Sequence, residues 1–338
     1  MQEHETPSQA EIFRIIGSYW LSRAVYLASR LKLADAVGDQ PVSIAKIADA
    51  TGTKLENLRR LMRAVTAHGF FRDEGNETFR QTPLSETLRS DRPGSMRAFA
   101  EAELGHDHYD SWRNVESCLR DGGTAFERLY GVPIWRYYAE HPETNALFGE
   151  AMTNLTAIAN AGVLSGYQFA PFQRAVDVGG GHGSFLSAIL DHHPEATAVL
   201  FDLSSVVADA AKAEFVTRHH AQLELTGGDF FDAVPAGGDL YLLKFILHDW
   251  DDTRSGVILN NIRRAIDRNG RLIVVEIVLP PMNEPHIGPL IDLNMMVMTG
   301  GAERTEAEYR DLLAKSGFRM GRVLATHSPF SVIEAVPT

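Results

Sequence analysis

The stretch LKFILHDWDD, residues 243–252, sets a histidine and a tryptophan at the end of an apolar run. An imidazole with an ordinary pKa of about 6.5 can take a proton at neutral pH, so His248 is a candidate general base. A base of this kind needs an acid to orient its ring. Glu276, inside the apolar run RLIVVEIVL, is that acid on the sequence, since a carboxylate in such a strand is rarely there without a task. The bland alternative is a histidine that caps a strand and a glutamate paired with an arginine.

A second chemical feature is AVDVGGGHGSF, residues 175–185, with four glycines in five positions after a short apolar run. A dinucleotide fingerprint would read G-x-G-x-x-G, but from Gly179 the sixth position is Ser184. The spacing is instead G-x-G-x-G at Gly179, Gly181 and Gly183, which weakens a pyrophosphate and leaves a ligand lying against bare backbone. Asp202, in AVLFDL, follows the loop by about the 20 residues at which such folds place an acid on ribose hydroxyls. Asp229, in GGDFF, ends the third strand, at the carboxyl edge where a carboxylate can accept from an adenine amino group with Phe230 as a wall for the ring.

These residues need elements to carry them. RAVDVG, TAVLFDL, LELTGGDF, DLYLLKFIL and RLIVVEIVL read as strands alternating with helices, the pattern of an α/β fold whose parallel sheet is covered on both faces. Residues 10 to about 165 read as helical almost throughout, and the period breaks at GYQFAPF. That break divides the chain into a helical domain at 1–168 and a ligand-binding domain at 169–338. The first helix carries apolar residues at 12, 15, 16, 19, 20 and 27, more than it can expose alone. Residues 42–82 outline helix, turn, helix and two short strands around Asp73 to Asn76, a winged-helix shape with Arg59, Arg60 and Arg63 on its second helix. A DNA-binding regulator that senses a small molecule is therefore one reading. Glu56 on the same helix and a net charge of -12 favour packing and dimerisation instead of a nucleic-acid partner.

Composition limits the remaining classes. With 338 residues, 44% apolar and 22% charged, the chain is an ordinary globular protein long enough for two domains. Its one cysteine, Cys118, forms no internal disulfide and fits the cytoplasm. The N-terminus MQEHETPSQA is polar and acidic, without a signal pattern, and no apolar run reaches the roughly 20 residues of a membrane span.

Together DVGGGHG, FDL, GGDFF, KFILHDW, VVE and GGAERT resemble the S-adenosylmethionine-dependent small-molecule O-methyltransferases, the plant caffeic-acid type and its bacterial relatives that tailor polyketides and phenazines. The resemblance runs over essentially the whole chain. It implies a Rossmann-like class I methyltransferase domain with a mostly parallel seven-stranded sheet, a helical dimerisation domain, and a homodimer. It puts the cofactor's methionine end over Gly179 to Gly183, its ribose on Asp202, its adenine on Asp229 and Phe230, and Lys244 nearby. His248 corresponds to the general base and Glu276 to its usual carboxylate partner, with Glu303, in GGAERT, as a second acid beside the histidine. S-adenosylhomocysteine is then the product, and no metal is required. HDWDD could offer carboxylates to a divalent ion, but Asp249, Asp251 and Asp252 read better as the opening of a helix near Thr253.

The same resemblance places the acceptor between both halves. Phe148 and Met152 share a helix face at i, i+4, and Asn294, Met295 and Met298 crowd a second helix, so with Trp250 they would line a slot for a flat aromatic ring. Methionine stripes of this kind also occur in plain cores. The match to the family is poorer around Tyr138, Thr144 and Asn294, so the acceptor itself is not carried over. N-methylation, or a cofactor-assisted hydroxylation or decarboxylation, is a further reading. An intact His248 favours an oxygen that must lose a proton.

Overall fold

The computed structural model describes residues 8–338; residues 1–7, the start of the polar N-terminus, lie outside the described residues. The chain divides into two compact units, one of residues 1–109 and 142–154, the other of residues 110–141 and 155–338.

In the first unit, α1 (Ser8–Arg30) is followed by α2 (Leu33–Val37), α3 (Ile44–Thr51) and α4 (Leu55–Ala67), with β1 (Val42–Ser43), β2 (Phe71–Asp73) and β3 (Thr78–Gln81) in a small antiparallel sheet of order β1-β3-β2. The winged-helix outline read from the sequence is present. Asp73 accepts from the Gly75 N–H at 2.8 Å, which closes the turn between β2 and β3. Leu58, Met62 and Val65 recur at helical spacing along α4 and are buried with Ile44, Ile47, Phe71 and Phe79. Arg59 is bound to Glu77 on the turn, while Arg60 and Arg63 are exposed. On α1 the order is inverted: Ile12, Phe13, Ile16 and Trp20 are 56%, 69%, 59% and 60% exposed.

The second unit is built on β4 (Arg174–Val178), β5 (Thr197–Asp202), β6 (Leu223–Gly227), β7 (Leu240–Lys244), β8 (Arg271–Glu276), β11 (Phe318–Ala325) and β12 (Ser331–Pro337), while β9 (Val278–Leu279) and β10 (Arg304–Thr305) form a separate parallel pair. The seven strands run in the order β11-β12-β8-β7-β4-β5-β6. The pairs among β4 to β8 are parallel, and β12 joins β8 and β11 antiparallel. Period-two alternation fills both faces. Ala175, Leu200, Leu242, Ile273 and Val275 enter one apolar cluster, and Val176, Val199, Tyr241, Leu243, Leu272 and Val274 enter the other.

Three expectations change. Residues 110–141 and 155–166 pack with the sheet, so the two units do not divide at 168. Trp112 reaching Asn294 and Trp135 meeting Trp250 tie that helical stretch to the unit that its helical pattern alone had assigned elsewhere. The strand in DLYLLKFIL stops at Lys244, because Phe245 takes a left-handed φ of 59° and the chain turns into a short 3-10 helix over Leu247–Asp249. RLIVVEIVL is likewise two strands, which leaves Glu276 as the last residue of β8.

Candidate active site

Strand order reverses between β4 and β7: the chain moves outward through β5 and β6, then returns to the other side of β4. The crevice at the carboxyl ends of such a pair is where open α/β sheets take ligands. Both motifs of the sequence lie there, the glycine loop after β4 and the His248 turn after β7.

Gly179, Gly181 and Gly183 have φ of 72°, 57° and 79°, so all three positions need glycine for conformation alone. A side chain at Gly179 would also run into Ile246, with the Phe230 ring close behind. Asp202 holds the loop: its Oδ2 accepts from the Gly181 N–H at 2.9 Å and its Oδ1 from the Leu203 N–H at 2.7 Å. Asp229 lies two residues past the end of β6 and accepts from the Phe231 N–H at 2.8 Å, forming the turn that presents Phe230. Asn261, which the sequence reading missed, fixes that turn from below by donating to the Phe230 and Phe231 carbonyls at 2.7 and 3.0 Å.

Beneath the loop, Asp177 is buried, and among the described residues neither of its carboxylate oxygens has a hydrogen-bond partner. Burial pushes its carboxyl well above the usual range, against the pull of Lys244. Lys244 donates to the Thr156 hydroxyl at 2.8 Å, and burial holds its amine below the ordinary lysine value although Asp177 and Glu276 oppose this.

His248 is bracketed by carboxylates. Its Nδ1 lies 2.8 Å from Glu303 Oε1 and 3.6 Å from Glu276 Oε2. The expected order of the two acids is therefore exchanged: Glu303 holds the ring, and Glu276 stands behind it. The reason is in the backbone, since Glu276 Oε1 already accepts from the Ile246 and Leu247 N–H groups, both at 2.9 Å. With Glu303 Oε1 as the acceptor at Nδ1, the neutral form of the ring carries its proton there, and Nε2 is the nitrogen that gains and loses the second proton. Burial works against a charged ring, but Glu276, Glu303 and Asp249 outweigh it and push His248 up to about 10. Burial raises Glu276 as well, and it raises Asp249 to about 7.

Two of the three aspartates of HDWDD open the next helix as expected, whereas Asp249 does not: it lies in the 3-10 turn with its Oδ1 3.9 Å from His248 Nε2, because the chain reaches that helix only at Asp252. Asp251 caps the helix Asp252–Ala265 by accepting from the Arg254 N–H at 2.8 Å, and Asp252 pairs with Arg304. Among the described residues, the group with ligand atoms close enough for a metal is His248, Glu276 and Glu303, within 4.8 Å of one another.

Of the expected acceptor residues, Trp250 stands in an aromatic cluster with Trp135, Phe230 and Phe231, at ring separations of 6.2, 6.2 and 4.8 Å. Asn294 Oδ1 accepts from the Trp112 indole at 2.8 Å. Met295 and Met298 are buried on the same helix, Gly288–Met298. Phe148 and Met152 belong to the first unit, where Met152 packs on Ala98, Ala102 and Ala151. Trp112 and Trp135 lacked a periodic or motif signal that could have singled them out.

The sequence profile of an O-methyltransferase domain matches residues 112–319, and that of an O-methyltransferase dimerisation domain matches residues 13–91. The phenazine O-methyltransferase PhzM of Lysobacter antibioticus is 41% identical over 98% of this chain and 97% of its own. The crystal structure of LaPhzM superposes with a TM-score of 0.93 at 40% identity, covering 98% of this chain and all of the other. An O-methyltransferase from neocarzinostatin biosynthesis, solved with S-adenosyl-L-homocysteine and 1,4-dihydroxy-2-naphthoic acid, is 28% identical with a TM-score of 0.80 over the full length of both chains.

Proposed function

The chain belongs to the O-methyltransferase family, and on that premise we propose that it transfers the methyl group of S-adenosylmethionine to a phenolic hydroxyl of a planar aromatic secondary metabolite, with His248 as general base. The observation that carries this reading is the hydrogen bond from His248 to Glu303, with Glu276 beside it, at the same sheet edge as the glycine loop.

The loop residues fit the cofactor. Gly179, Gly181 and Gly183 keep the strand edge clear of side chains, and Asp177, buried with no hydrogen-bond partner on either oxygen among the described residues, suits a ligand ammonium. Asp202 would take the ribose hydroxyls, Asp229 and Phe230 the adenine, and Lys244 would lie near the amino-acid end. When bound, the cofactor supplies a methyl group already activated on a sulfonium. The chain's own residues then have two tasks, to orient one oxygen and to remove one proton.

His248 removes the proton through Nε2. A phenol has a pKa of about 10 by analogy with tyrosine, so an imidazole raised to about 10 accepts its proton at almost no thermodynamic cost. Glu303 fixes the tautomer, and Glu276 and Glu303 together stabilise the imidazolium, the part an acid plays in a catalytic triad. Once its proton has gone to His248 the hydroxyl needs no metal to activate it. Trp250, Asn294, Met295 and Met298 would line the acceptor site. The flat dihydroxynaphthoic acid bound by the neocarzinostatin relative supports an aromatic acceptor of that shape. The exposed apolar side of α1 falls within the dimerisation match, which supports a homodimer.

The test is incubation with methyl-labelled S-adenosylmethionine and a panel of phenolic polycycles, with and without a chelator. Label on a phenolic oxygen, unaffected by the chelator, is the expected result. Transfer to nitrogen alone, or to no acceptor, would overturn the reading of the acceptor, and loss of activity on chelation would overturn the metal-free chemistry.

A further inference from the structure

Arg304 follows Glu303 directly, is 3% exposed, and had no role in the reading of GGAERT. Its guanidinium donates from Nη1 to the Leu247 carbonyl at 2.9 Å and from Nη2 to the Trp250 carbonyl at 2.8 Å. Those two carbonyls flank His248 and Asp249. Nε donates to Asp252 Oδ1 at 2.9 Å, Nη1 also reaches the Ala302 carbonyl at 3.2 Å, and Nη2 reaches the Ser255 hydroxyl at 3.4 Å. One planar group thus spans the whole turn that carries the base, from the residue before it to the helix after it.

The same strip touches that turn twice more. Gly301 lies so close to the His248 carbonyl and the Asp249 backbone that a β-carbon would collide with both. Glu303 is bonded to the His248 ring at 2.8 Å, and its own N–H is held by Asp292 Oδ1 at 2.9 Å. Backbone, ring and flanking carbonyls are therefore all fastened from one segment, residues 301–304. An arginine fork can hold two carbonyls at fixed separation, which a lysine ammonium cannot.

We propose that Arg304 is a positioning residue for methyl transfer, clamping the Leu247–Trp250 turn so that the imidazole of His248 meets the acceptor oxygen at a fixed angle. This rests on His248 being the base. Displacing a reacting group by about 1 Å costs about 10²-fold in rate, so Arg304→Lys should lower kcat by about 10- to 100-fold. Affinity for S-adenosylhomocysteine, measured by calorimetry, should stay within about twofold, since none of the clamp's contacts involves the glycine loop.

The deciding comparison is made in a His248→Ala background. If Arg304 acts through the ring, adding Arg304→Lys to His248→Ala should cost almost nothing further. Gly301→Ala should behave in the same way, because it disturbs the same turn from its other side. An equal loss with and without His248, or loss of cofactor binding in Arg304→Lys, would give Arg304 a general structural part and overturn the proposal. If His248→Ala alone kept full activity, the base assignment would fail instead, and the two failures are distinguishable.

Discussion

Glu303, and not Glu276, is the carboxylate within hydrogen-bond distance of the His248 ring, at 2.8 Å from Nδ1, and it is buried where it accepts that bond. Its charge is one of the two chief causes of the raised imidazole value, beside that of Glu276. Glu303→Gln keeps an acceptor for Nδ1–H but removes the charge. The inflection in kcat/KM against pH should move downward from about 10, with a lower plateau because the base is weaker. A profile unchanged by the substitution would mean that Glu303 does not govern the ring.

The native enzyme should become faster as the solution becomes more alkaline. His248 is raised, so below about 10 most rings carry the extra proton and the basic form grows with each step in pH. With an ordinary phenol, kcat/KM should climb from neutrality and level off near that value. A flat profile from pH 7 to 9 would argue against deprotonation by this ring.

Removing the base should be severe and selective. His248→Ala should lower kcat by about 10²- to 10⁴-fold, the usual loss for a positioned general base, with cofactor affinity near native. Phenols acidic enough to arrive ionised at the assay pH should lose much less. Equal losses for acidic and ordinary phenols would falsify proton removal by His248 and leave it an orienting role.

Asp202 has two duties, since the oxygen that bonds Gly181 belongs to the carboxylate proposed for the ribose. Asp202→Ala leaves the loop N–H and two ligand hydroxyls without an acceptor. Affinity for S-adenosylhomocysteine should fall by about 30- to 150-fold, about 2–3 kcal/mol. Calorimetry reads this directly, and near-native affinity would take Asp202 out of the site.

On α1, Phe13 and Trp20 are 69% and 60% exposed, unusual for large rings on a surface with no partner. Introducing Phe13→Asp and Trp20→Asp together should raise the dimer dissociation constant by about 100-fold or more, because a buried unpaired charge is costly. Sedimentation over a range of concentrations measures it. A double variant that sediments like the native protein would place the interface elsewhere.

The sheet and the positions of the two motifs were legible in the sequence because period-two runs and glycine spacing are local signals. Asp202, Asp229 and His248 could be ordered from strand ends alone. The ranking of the two glutamates could not. It depends on where Ile246 and Leu247 point their N–H groups after Phe245 breaks the strand, and φ at a phenylalanine has no sequence signature. Asn261 and Arg304 were invisible for a related reason. Each acts on backbone carbonyls far along the chain, and a residue that recognises backbone leaves no complementary residue type to notice. The helices of residues 110–141 have the same period as those before them, so only their packing reveals which unit they join.

The strand order has a consequence for how the protein comes into being. β4 meets β5 soon after it is made, but its other neighbour, β7, begins at residue 240, and β8 reaches Glu276 only later still. Glu303 follows His248 by 55 residues, and β12, which seals the far side of β8, ends at Pro337. Parallel pairings of this range form slowly, because a long loop must close before any contact rewards it. In order of synthesis the glycine loop and Asp202, which holds it, precede His248, and the acid bonded to the imidazole comes later still. The partners that orient the base are thus complete only once the chain extends past Arg304.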